Sequence, residues 1–248
     1  MSARTDTTVD HGQPTTGYYR AWCNTLALVY DALTRVLGLF VGGERRFRAR
    51  IVSGAAIRAG DSVLDLGCGT GTLSILMAEH VGPEGHVVGI DLSPRMLATA
   101  RRKASGSNLT FRQANAEALP YPDASFDVVT ATYTLHEMPR QARANALREC
   151  RRVLKPEGRL VVVDVHIPRS WWRRALFRAL MLFETDTAWD LAHRGVANEL
   201  AEAGFASVRQ QFLHRDFVPA FVASVHPDTG SPATMSPTLS QHSSDADE

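Results

Sequence analysis

Cysteine is scarce in this chain of 248 residues, and its three cysteines lie far apart. Cys23, Cys68 and Cys150 form no C-x-x-C pair, which argues against a zinc site and against a disulfide framework. Cysteine usage of this kind is typical of a reducing compartment. We therefore expect a cytoplasmic protein, and the sequence assigns no metal site.

Long apolar runs are missing as well. The most apolar early stretch, residues 21–41, is interrupted by Asn24, Asp31 and Arg35, whereas a membrane-spanning helix needs about 20 nearly uncharged residues. The first residues carry charges and lack the apolar core of a secretory signal. The sequence therefore predicts neither a spanning helix nor secretion.

Charge of one sign is not in excess, since 27 basic residues face 26 acidic ones for a formal net charge of +1. No global electrostatic field would draw the chain to nucleic acid, and no nucleic-acid partner is expected. With 44% hydrophobic and 21% charged residues, the composition is ordinary for a soluble globular protein. The length suits one generous α/β domain or two small ones.

What the sequence does contain is a regular alternation of short apolar runs and helical patterns from about residue 63 onward. Nearly all-apolar strands that alternate with helices indicate an α/β fold with a parallel sheet covered on both faces. Strands are predicted at residues 63–66, 86–90, 109–113, 126–132, 159–165, 207–213 and 217–225. Helices are predicted at 73–81, 94–104, 140–154 and 196–204, and a tight turn at 155–158.

These patterns predict a single domain over residues 18–225. Residues 1–17 are rich in Thr, Asp and Gly and are predicted to be disordered, as is the Ser-, Thr- and Pro-rich tail at 226–248. Residues 18–50 carry apolar side chains at helical spacing and are predicted to form a helical N-terminal cover. Residues 168–195 interrupt the alternation, and we interpret them as an insertion that covers the substrate.

The most informative segment is V-L-D-L-G-C-G-T-G at residues 63–71, in which a strand runs through three glycines into a helix. Glycines let the backbone turn sharply and let a ligand approach where a Cβ atom would collide. In an open α/β sheet this turn lies at the carboxyl edge, where ligands bind. Asp91 ends the second strand twenty residues after Gly71, a position that suits a carboxylate accepting hydrogen bonds from ribose hydroxyls.

The spacing of the glycines bears on the kind of nucleotide. A dinucleotide site has the pattern G-x-G-x-x-G, whereas this chain has G-x-G-x-G. Asp65 stands just before the turn, where it would repel a pyrophosphate but attract an ammonium and a sulfonium. S-adenosylmethionine has both of these charges and no phosphate. On these residues alone, an NAD-linked oxidoreductase and a turn with purely structural glycines remain alternatives.

Four motifs in order carry a family resemblance. They are VLDLGCGTG, GIDLS, the stretch at residues 111–127, and RVLKPEGRLVVVD. Together they resemble the ubiquinone/menaquinone-biosynthesis C-methyltransferases and the wider class I methyltransferases, over roughly residues 30–165. Tyr30-Asp31 resembles the "YD" of the N-terminal helix in that family. The resemblance implies a Rossmann-like class I methyltransferase fold, with a mostly parallel seven-stranded sheet that ends in an antiparallel strand, and S-adenosylmethionine as cofactor.

The resemblance also implies which residues hold the methionine part of the cofactor. They lie in the glycine turn between the first strand and its helix. They are Asp65, Gly67, Gly69, Thr70 and Gly71.

Residues at the ends of three further strands complete the implied cofactor site. Asp91 would hold the ribose, Asn115 and Ala116 would meet the adenine, and Thr132 would lie near the methionine end. Many class I relatives carry Asp at the position of Asn115, but an amide can still accept a hydrogen bond from the adenine amino group.

The acceptor side departs from the quinone family. That family has Arg-Asn where this chain has His136-Glu137, and Glu-Phe-Ser-Lys-Pro where this chain has D-V-H-I-P at residues 164–168. If the acceptor loses a proton, a base is needed, and Tyr133, His136 and His166 are the candidates. His136 can titrate near neutral pH, but a structural role at the start of a helix is equally open.

We therefore predict methyl transfer to a small or lipophilic metabolite, with C-methylation of a quinone precursor as the leading specific hypothesis. The alternatives are N- or O-methylation of a lipid headgroup or secondary metabolite, and a catalytically silent protein that binds the cofactor.

Residues 171–183 form an apolar segment that also contains Trp171, Trp172 and three arginines. One hypothesis is a lid over a lipophilic acceptor that makes a peripheral contact with the membrane surface. The other is a buried helix that closes the fold.

Overall fold

Seven strands form one sheet in the computed structural model, which describes residues 43–168, 170–181, 185–214 and 218–227. The strands are β1 (Ser62–Leu66), β2 (His86–Asp91), β3 (Leu109–Gln113), β4 (Phe126–Thr132), β5 (Leu154–Val163), β6 (Ser207–His214) and β7 (Val218–Ser224). Their order is β3-β2-β1-β4-β5-β7-β6, with β1 to β5 parallel and β7 antiparallel to both β5 and β6. This confirms the predicted Rossmann-like class I methyltransferase fold.

Helices connect the parallel strands and cover the sheet. They are α1 (Glu44–Gly54), α2 (Thr72–Val81), α3 (Pro94–Lys103), α4 (Arg140–Val153), α5 (Trp171–Met181), α6 (Asp186–Arg194) and α7 (Val196–Glu202), with a 3₁₀ turn at Leu135–Glu137. Local sequence sets some of their starts. Ser93 accepts a hydrogen bond from the backbone of Met96, and Pro94 occupies the first turn of α3, where its missing N–H costs nothing.

Two apolar clusters lie on opposite faces of the sheet, because successive strand residues point to opposite sides. Val63 packs with Met77 of α2 in one cluster, whereas its neighbour Leu64 packs with Leu147 of α4 in the other. This two-sided burial explains why the strands are almost entirely apolar. It also leaves the carboxyl edge, where the connections leave the parallel strands, as the place for polar side chains.

The start of β5 differs from the prediction, whereas β4 has the predicted bounds. Instead of a tight turn before the fifth strand, residues 155–158 form an irregular part of β5 itself. Phe126 pairs with Leu154, and Val128 pairs with Arg159. Lys155 reaches back to Asp127 at 2.8 Å, which holds this bulge against β4.

Several predicted segments lie partly or wholly outside the described residues. This holds for the disordered N-terminus at 1–17, most of the helical cover at 18–50, and nearly all of the tail at 226–248. The part of the cover that is described belongs to α1, which runs to Gly54. The proposed domain limits and the cover function of 168–195 stay predictions.

The hypothesis of a buried helix is wrong for the start of α5. The side chains of Trp171 and Trp172 are 81% and 51% exposed. The apolar pattern was ambiguous because an exposed interfacial helix and a buried helix carry similar residues. In the part of the chain that the structure describes, no helix has both the length and the apolar character needed to cross a bilayer.

A buried ion cluster ties α6 and α7 to the sheet-covering helix α4. Arg143 is fully buried and donates two hydrogen bonds to the carboxylate of Glu199, at 2.8 and 2.7 Å. The same guanidinium pairs with Asp190 and donates to the carbonyl oxygen of Met138 at 2.8 Å. One side chain therefore joins three helices and the end of the 3₁₀ turn.

We predict that Arg143→Ala lowers the free energy of unfolding by about 3–5 kcal/mol, because it leaves the Glu199 carboxylate buried without its principal partner. Urea denaturation of the purified protein measures this. Arg140→Ala is the matched control, since Arg140 is exposed and lies 3.8 Å from Glu202, and its loss should cost about 0–1 kcal/mol. Equal effects of the two substitutions would contradict the assignment.

Candidate functional site

The glycine turn between β1 and α2 is shaped for a ligand. Gly67, Gly69 and Gly71 have φ angles of +67°, +54° and +74°, which side chains with a Cβ rarely adopt. A Cβ on Gly67 would come within 2.3 Å of Thr134 Oγ1, and one on Gly71 within 2.5 Å of Phe111 Cζ. A Cβ on Gly69 would meet no described atom within 4 Å. The middle of the turn thus presents bare backbone to open space, as a cofactor cradle requires.

Asp65 supports this turn from inside the protein. Its side chain is almost completely buried, and it accepts hydrogen bonds from Ser74 Oγ at 2.6 Å and Thr130 Oγ1 at 2.8 Å. Burial raises the pKa of Asp65 to about 6, although the two hydroxyls counteract part of this effect. The charge of Asp65 can therefore attract a ligand across the turn, but the carboxylate is too buried for direct contact with it.

Asp91 connects the end of β2 to the glycine turn. Its Oδ2 accepts the N–H of Gly69 at 2.9 Å and its Oδ1 accepts the N–H of Ser93 at 2.7 Å. Burial raises the pKa of Asp91, and these backbone hydrogen bonds oppose the shift. Each carboxylate oxygen can accept more than one hydrogen bond, so this geometry leaves acceptor capacity for ribose hydroxyls.

The predicted adenine residues lie beside Asp91. The N–H of Ala114 donates to the carbonyl oxygen of Asp91 at 3.4 Å, which brings the segment after β3 next to the end of β2. Asn115 Oδ1 accepts the N–H of Glu117 at 3.1 Å, and Ala116 is buried. The structure thus places these residues along the same edge as the glycine turn.

The last predicted cofactor residues are two threonines. Thr70, in the glycine turn, is buried. Thr132 ends β4, and its Oγ1 is buried with no hydrogen-bond partner among the described residues. Because buried hydroxyls nearly always have a partner, this atom fits a position that faces a polar group of a bound ligand.

Asp164 organises the turn that follows β4. Its Oδ2 accepts the backbone N–H groups of Thr134, Leu135 and His136, at 3.2, 2.9 and 3.4 Å. Its Oδ1 accepts from the N–H of Val165 and lies 2.8 Å from Nδ1 of His136. This fold of the chain ends β5 at Val163, two residues before the predicted end of that strand.

His136 is held as a cation. Burial alone would lower its pKa, but Asp164 and, at 3.6 Å from Nε2, Glu137 outweigh that effect and raise the pKa to about 10. A protonated imidazole cannot accept a further proton. The geometry therefore favours the structural role for His136 over the role of base.

The other two base candidates lie in different surroundings. Tyr133 is 42% exposed and has a φ angle of +51°, an unusual conformation for a residue with a bulky side chain. Its ring meets that of His136 edge-on, with centroids 6.5 Å apart. His166 instead lies 6.4 Å from the ring of Phe221 on β7. The structure brings Tyr133 and His136 together and places His166 towards β7.

Sequence reasoning missed three hydroxyl residues that position the site. Ser74 and Thr130 hold Asp65, and Thr134 donates to the carbonyl oxygen of Leu66 at 3.1 Å. For Ser74 and Thr130 the available signal was a small hydroxyl residue inside an otherwise apolar helix or strand, whereas Thr134 lies in the turn after β4. The pairing of these two hydroxyls with Asp65 emerges only once the elements are placed in space.

Known proteins match this chain over the region that contains the glycine turn. Residues 63–158 match the family described as a methyltransferase domain. An uncharacterized methyltransferase from Synechocystis is 37% identical over 195 residues, which cover 77% of this chain and 89% of that protein. Demethylmenaquinone methyltransferases from Lactobacillus johnsonii and Listeria monocytogenes are each 38% identical, over 57% and 61% of this chain. The matches span 58% and 65% of those two proteins, less than two thirds of their length.

Solved structures share the fold. A SAM-dependent methyltransferase from Aquifex aeolicus has a TM-score of 0.59 at 21% identity, covering 72% of this chain and 89% of its own. A putative methyltransferase from Bacillus halodurans has a TM-score of 0.52 at 27% identity, covering 66% and 71%.

We predict that Asp91→Ala weakens binding of S-adenosylhomocysteine by roughly 1.5–3 kcal/mol, because charge-assisted hydrogen bonds are lost. Isothermal titration calorimetry measures the affinity, and the melting temperature shows whether the variant is folded. Asp123→Ala, which removes an exposed carboxylate, should leave the affinity unchanged. A folded Asp91→Ala protein with wild-type affinity would remove Asp91 from the site.

The pKa of Asp65 gives a pH dependence. Below about pH 6 this carboxyl is neutral and attracts a cationic ligand less. The affinity for S-adenosylmethionine should therefore rise by up to about tenfold as the pH increases from 5 to 7.5. His136 stays protonated through this range and adds no slope.

Calorimetry at three pH values tests this prediction, with Asp65→Asn as the control. This variant keeps the shape of the side chain and should show a flatter profile. An affinity that does not change with pH in the wild-type protein would contradict the predicted effect of Asp65.

Proposed function

This chain belongs to the class I S-adenosylmethionine-dependent methyltransferases, and within that family we propose that it methylates a ring carbon of a lipophilic quinone precursor. The relatives named demethylmenaquinone methyltransferases support this choice at 38% identity. The site residues implied by the resemblance would hold the cofactor at the ends of β1 to β4.

The observation that carries the proposal is the pair of His136 and Asp164. These are two positions at which the sequence departs from the resembling quinone family, which has Arg and Glu there. In the structure the two side chains contact each other, at 2.8 Å. Both replacements shorten the side chain, and both keep its charge, since His136 is held as a cation. The pair supports an acceptor side that keeps a cation and an anion at these two positions, while Glu137 adds a carboxylate 3.6 Å from His136 where that family has Asn.

Tyr133 supports an acceptor with a flat ring. Its exposed side chain follows the last residue of β4, next to Thr132 in the proposed cofactor site. A left-handed backbone at a bulky residue costs free energy and persists where surrounding contacts enforce it, often at functional sites. Here the N–H of Tyr133 donates to the carbonyl oxygen of Val163 at 2.8 Å, which fixes the turn. The ring could then stack on an aromatic acceptor.

Methyl transfer requires mainly that the acceptor carbon be aligned with the methyl group of the cofactor. S-adenosylmethionine supplies a methyl group on a positively charged sulfur, and the ring carbon displaces S-adenosylhomocysteine in line. The carbon that gains the methyl group then loses its hydrogen as a proton, and the aromatic ring is restored. This proton leaves to solvent water after the methyl group has been transferred, because His136 is already protonated and accepts no further proton. The role of the chain is to orient the ring and to hold the cofactor.

Incubation of the purified protein with deuteromethyl S-adenosylmethionine and reduced demethylmenaquinone in detergent tests the proposal. We expect the label in the quinone, bonded to ring carbon and stable to hydrolysis, as shown by mass spectrometry. Label on an oxygen or nitrogen, or transfer only to phospholipid added in place of the quinone, would replace the proposal by O- or N-methylation. Cofactor binding without any transfer to quinone, phospholipid or cell extract would favour a catalytically silent protein.

We predict that Tyr133→Ala lowers kcat/KM for the quinone roughly threefold to tenfold, mainly through KM, because an aromatic pair contributes about 0.5–1.5 kcal/mol. Tyr133→Phe keeps the ring and should retain activity. The affinity for S-adenosylhomocysteine should be the same in both variants. A loss of activity as large in Tyr133→Phe would point to the hydroxyl group instead of stacking, and full activity of Tyr133→Ala would remove this contact.

A further inference from the structure

One face of α5 is exposed and carries both indole and guanidinium groups. Trp171, Arg174, Ala175 and Arg178 follow the spacing i, i+3, i+4 and i+7, which places them on a single stripe of the helix. All four are exposed, and Trp172, also exposed, flanks the stripe. An exposed Trp pair is unusual, because the apolar body of an indole gains free energy by leaving water.

The helix is attached to the protein through Phe177, which lies outside the stripe, and through a backbone contact of Arg174 at its first turn. Phe177 is half-buried and meets Trp189 of α6 edge-on, with ring centroids 6.1 Å apart. Arg174 Nε donates to the carbonyl oxygen of Pro168 at 2.8 Å, which links the first turn of α5 to the segment after β5. The helix is therefore oriented, with its stripe directed away from the body.

The charge of the helix is of one sign. Residues 170–181 contain three arginines and no Asp or Glu. Arg173 stacks over the ring of Trp172, with its guanidinium carbon 4.8 Å from the ring centroid. A surface that combines exposed indoles with arginines is complementary to anionic lipid, where indoles occupy the headgroup region and arginines meet phosphates.

We propose that α5 is a docking helix for the surface of an anionic phospholipid bilayer. The helix has 11 residues, far fewer than the about 20 that a span needs, so it would lie in the plane of the interface. The docking does not depend on the identity of the methyl acceptor. The benefit for catalysis does rest on the proposed function. Because α5 begins eight residues after β5 ends, a docked α5 would bring the carboxyl edge of the sheet close to a quinone dissolved in the membrane.

Flotation of the full-length protein with vesicles tests this surface directly. The vesicles contain phosphatidylcholine alone or phosphatidylcholine mixed with phosphatidylglycerol, at low and at high salt. We expect binding to the anionic vesicles at low salt, weaker binding to the neutral ones, and loss of binding as salt screens the arginines. No binding to anionic vesicles at low salt would overturn the proposal.

Two double variants locate the contact. Trp171→Ala/Trp172→Ala should lower the partition coefficient roughly tenfold or more. Arg174→Gln/Arg178→Gln should lower it roughly fivefold for each arginine. Arg102→Gln/Arg148→Gln removes the same charge from exposed positions on α3 and α4 and should bind like the wild type. An equal loss in this control would mean a general charge effect and would overturn the assignment to α5.

Other outcomes separate this inference from competing ones. Each variant should retain its affinity for S-adenosylhomocysteine, which shows that the fold is intact. Self-association that depends on the two indoles, without vesicle binding, would mean that a second copy of the chain covers this face, contrary to the proposal. Because flotation needs no acceptor, failure of the quinone assay leaves the docking result standing, and failure of flotation leaves the quinone assay standing.

Discussion

Three carboxylates at the ends of three parallel strands have to be satisfied away from bulk water, and the site is built around that requirement. Asp65 on β1, Asp91 on β2 and Asp164 after β5 each lie in a largely buried position, where an unpaired charge would be costly. Each meets the requirement by recruiting donors from another element. Asp91 takes the N–H of Gly69, and Asp164 takes successive N–H groups of the turn that starts at Thr134. The same carboxylates that make this edge of the sheet negatively charged thus also position the loops that would hold the ligand.

This arrangement accounts for the sign of the charge that the site accepts. An edge lined by carboxylates is unfavourable for a pyrophosphate and favourable for a sulfonium or an ammonium. It also explains His136, whose imidazole is kept protonated between Asp164 and Glu137. The two carboxylates raise the pKa of this histidine well above its usual value, which favours a role in holding the turn over proton transfer. The neighbouring Tyr133 owes its fixed position to that turn.

The fold could be predicted from the sequence because its signals are local. Apolar runs gave the strands, and the glycines at residues 67–71 marked the ligand edge. The partners of the buried acids could not be predicted, because Ser74 and Thr130 are remote from each other in sequence and meet only at Asp65. The charge of His136 depends on Asp164, 28 residues away. The exposed stripe of α5 was ambiguous for a different reason: periodicity shows that a helix has an apolar side, but not whether protein or another surface covers it.

The two sides of the site are therefore constrained to different degrees. On the cofactor side, a Cβ on Gly67 would collide with Thr134, and one on Gly71 would collide with Phe111. Packing alone therefore requires glycine at both positions. On the acceptor side, His136 and Asp164 form an ion pair at the turn after β4, with shorter side chains than the resembling quinone family has. Divergence on the acceptor side, with the cofactor side intact, is the pattern expected when one fold keeps its methyl donor and adjusts the shape of the space beside it.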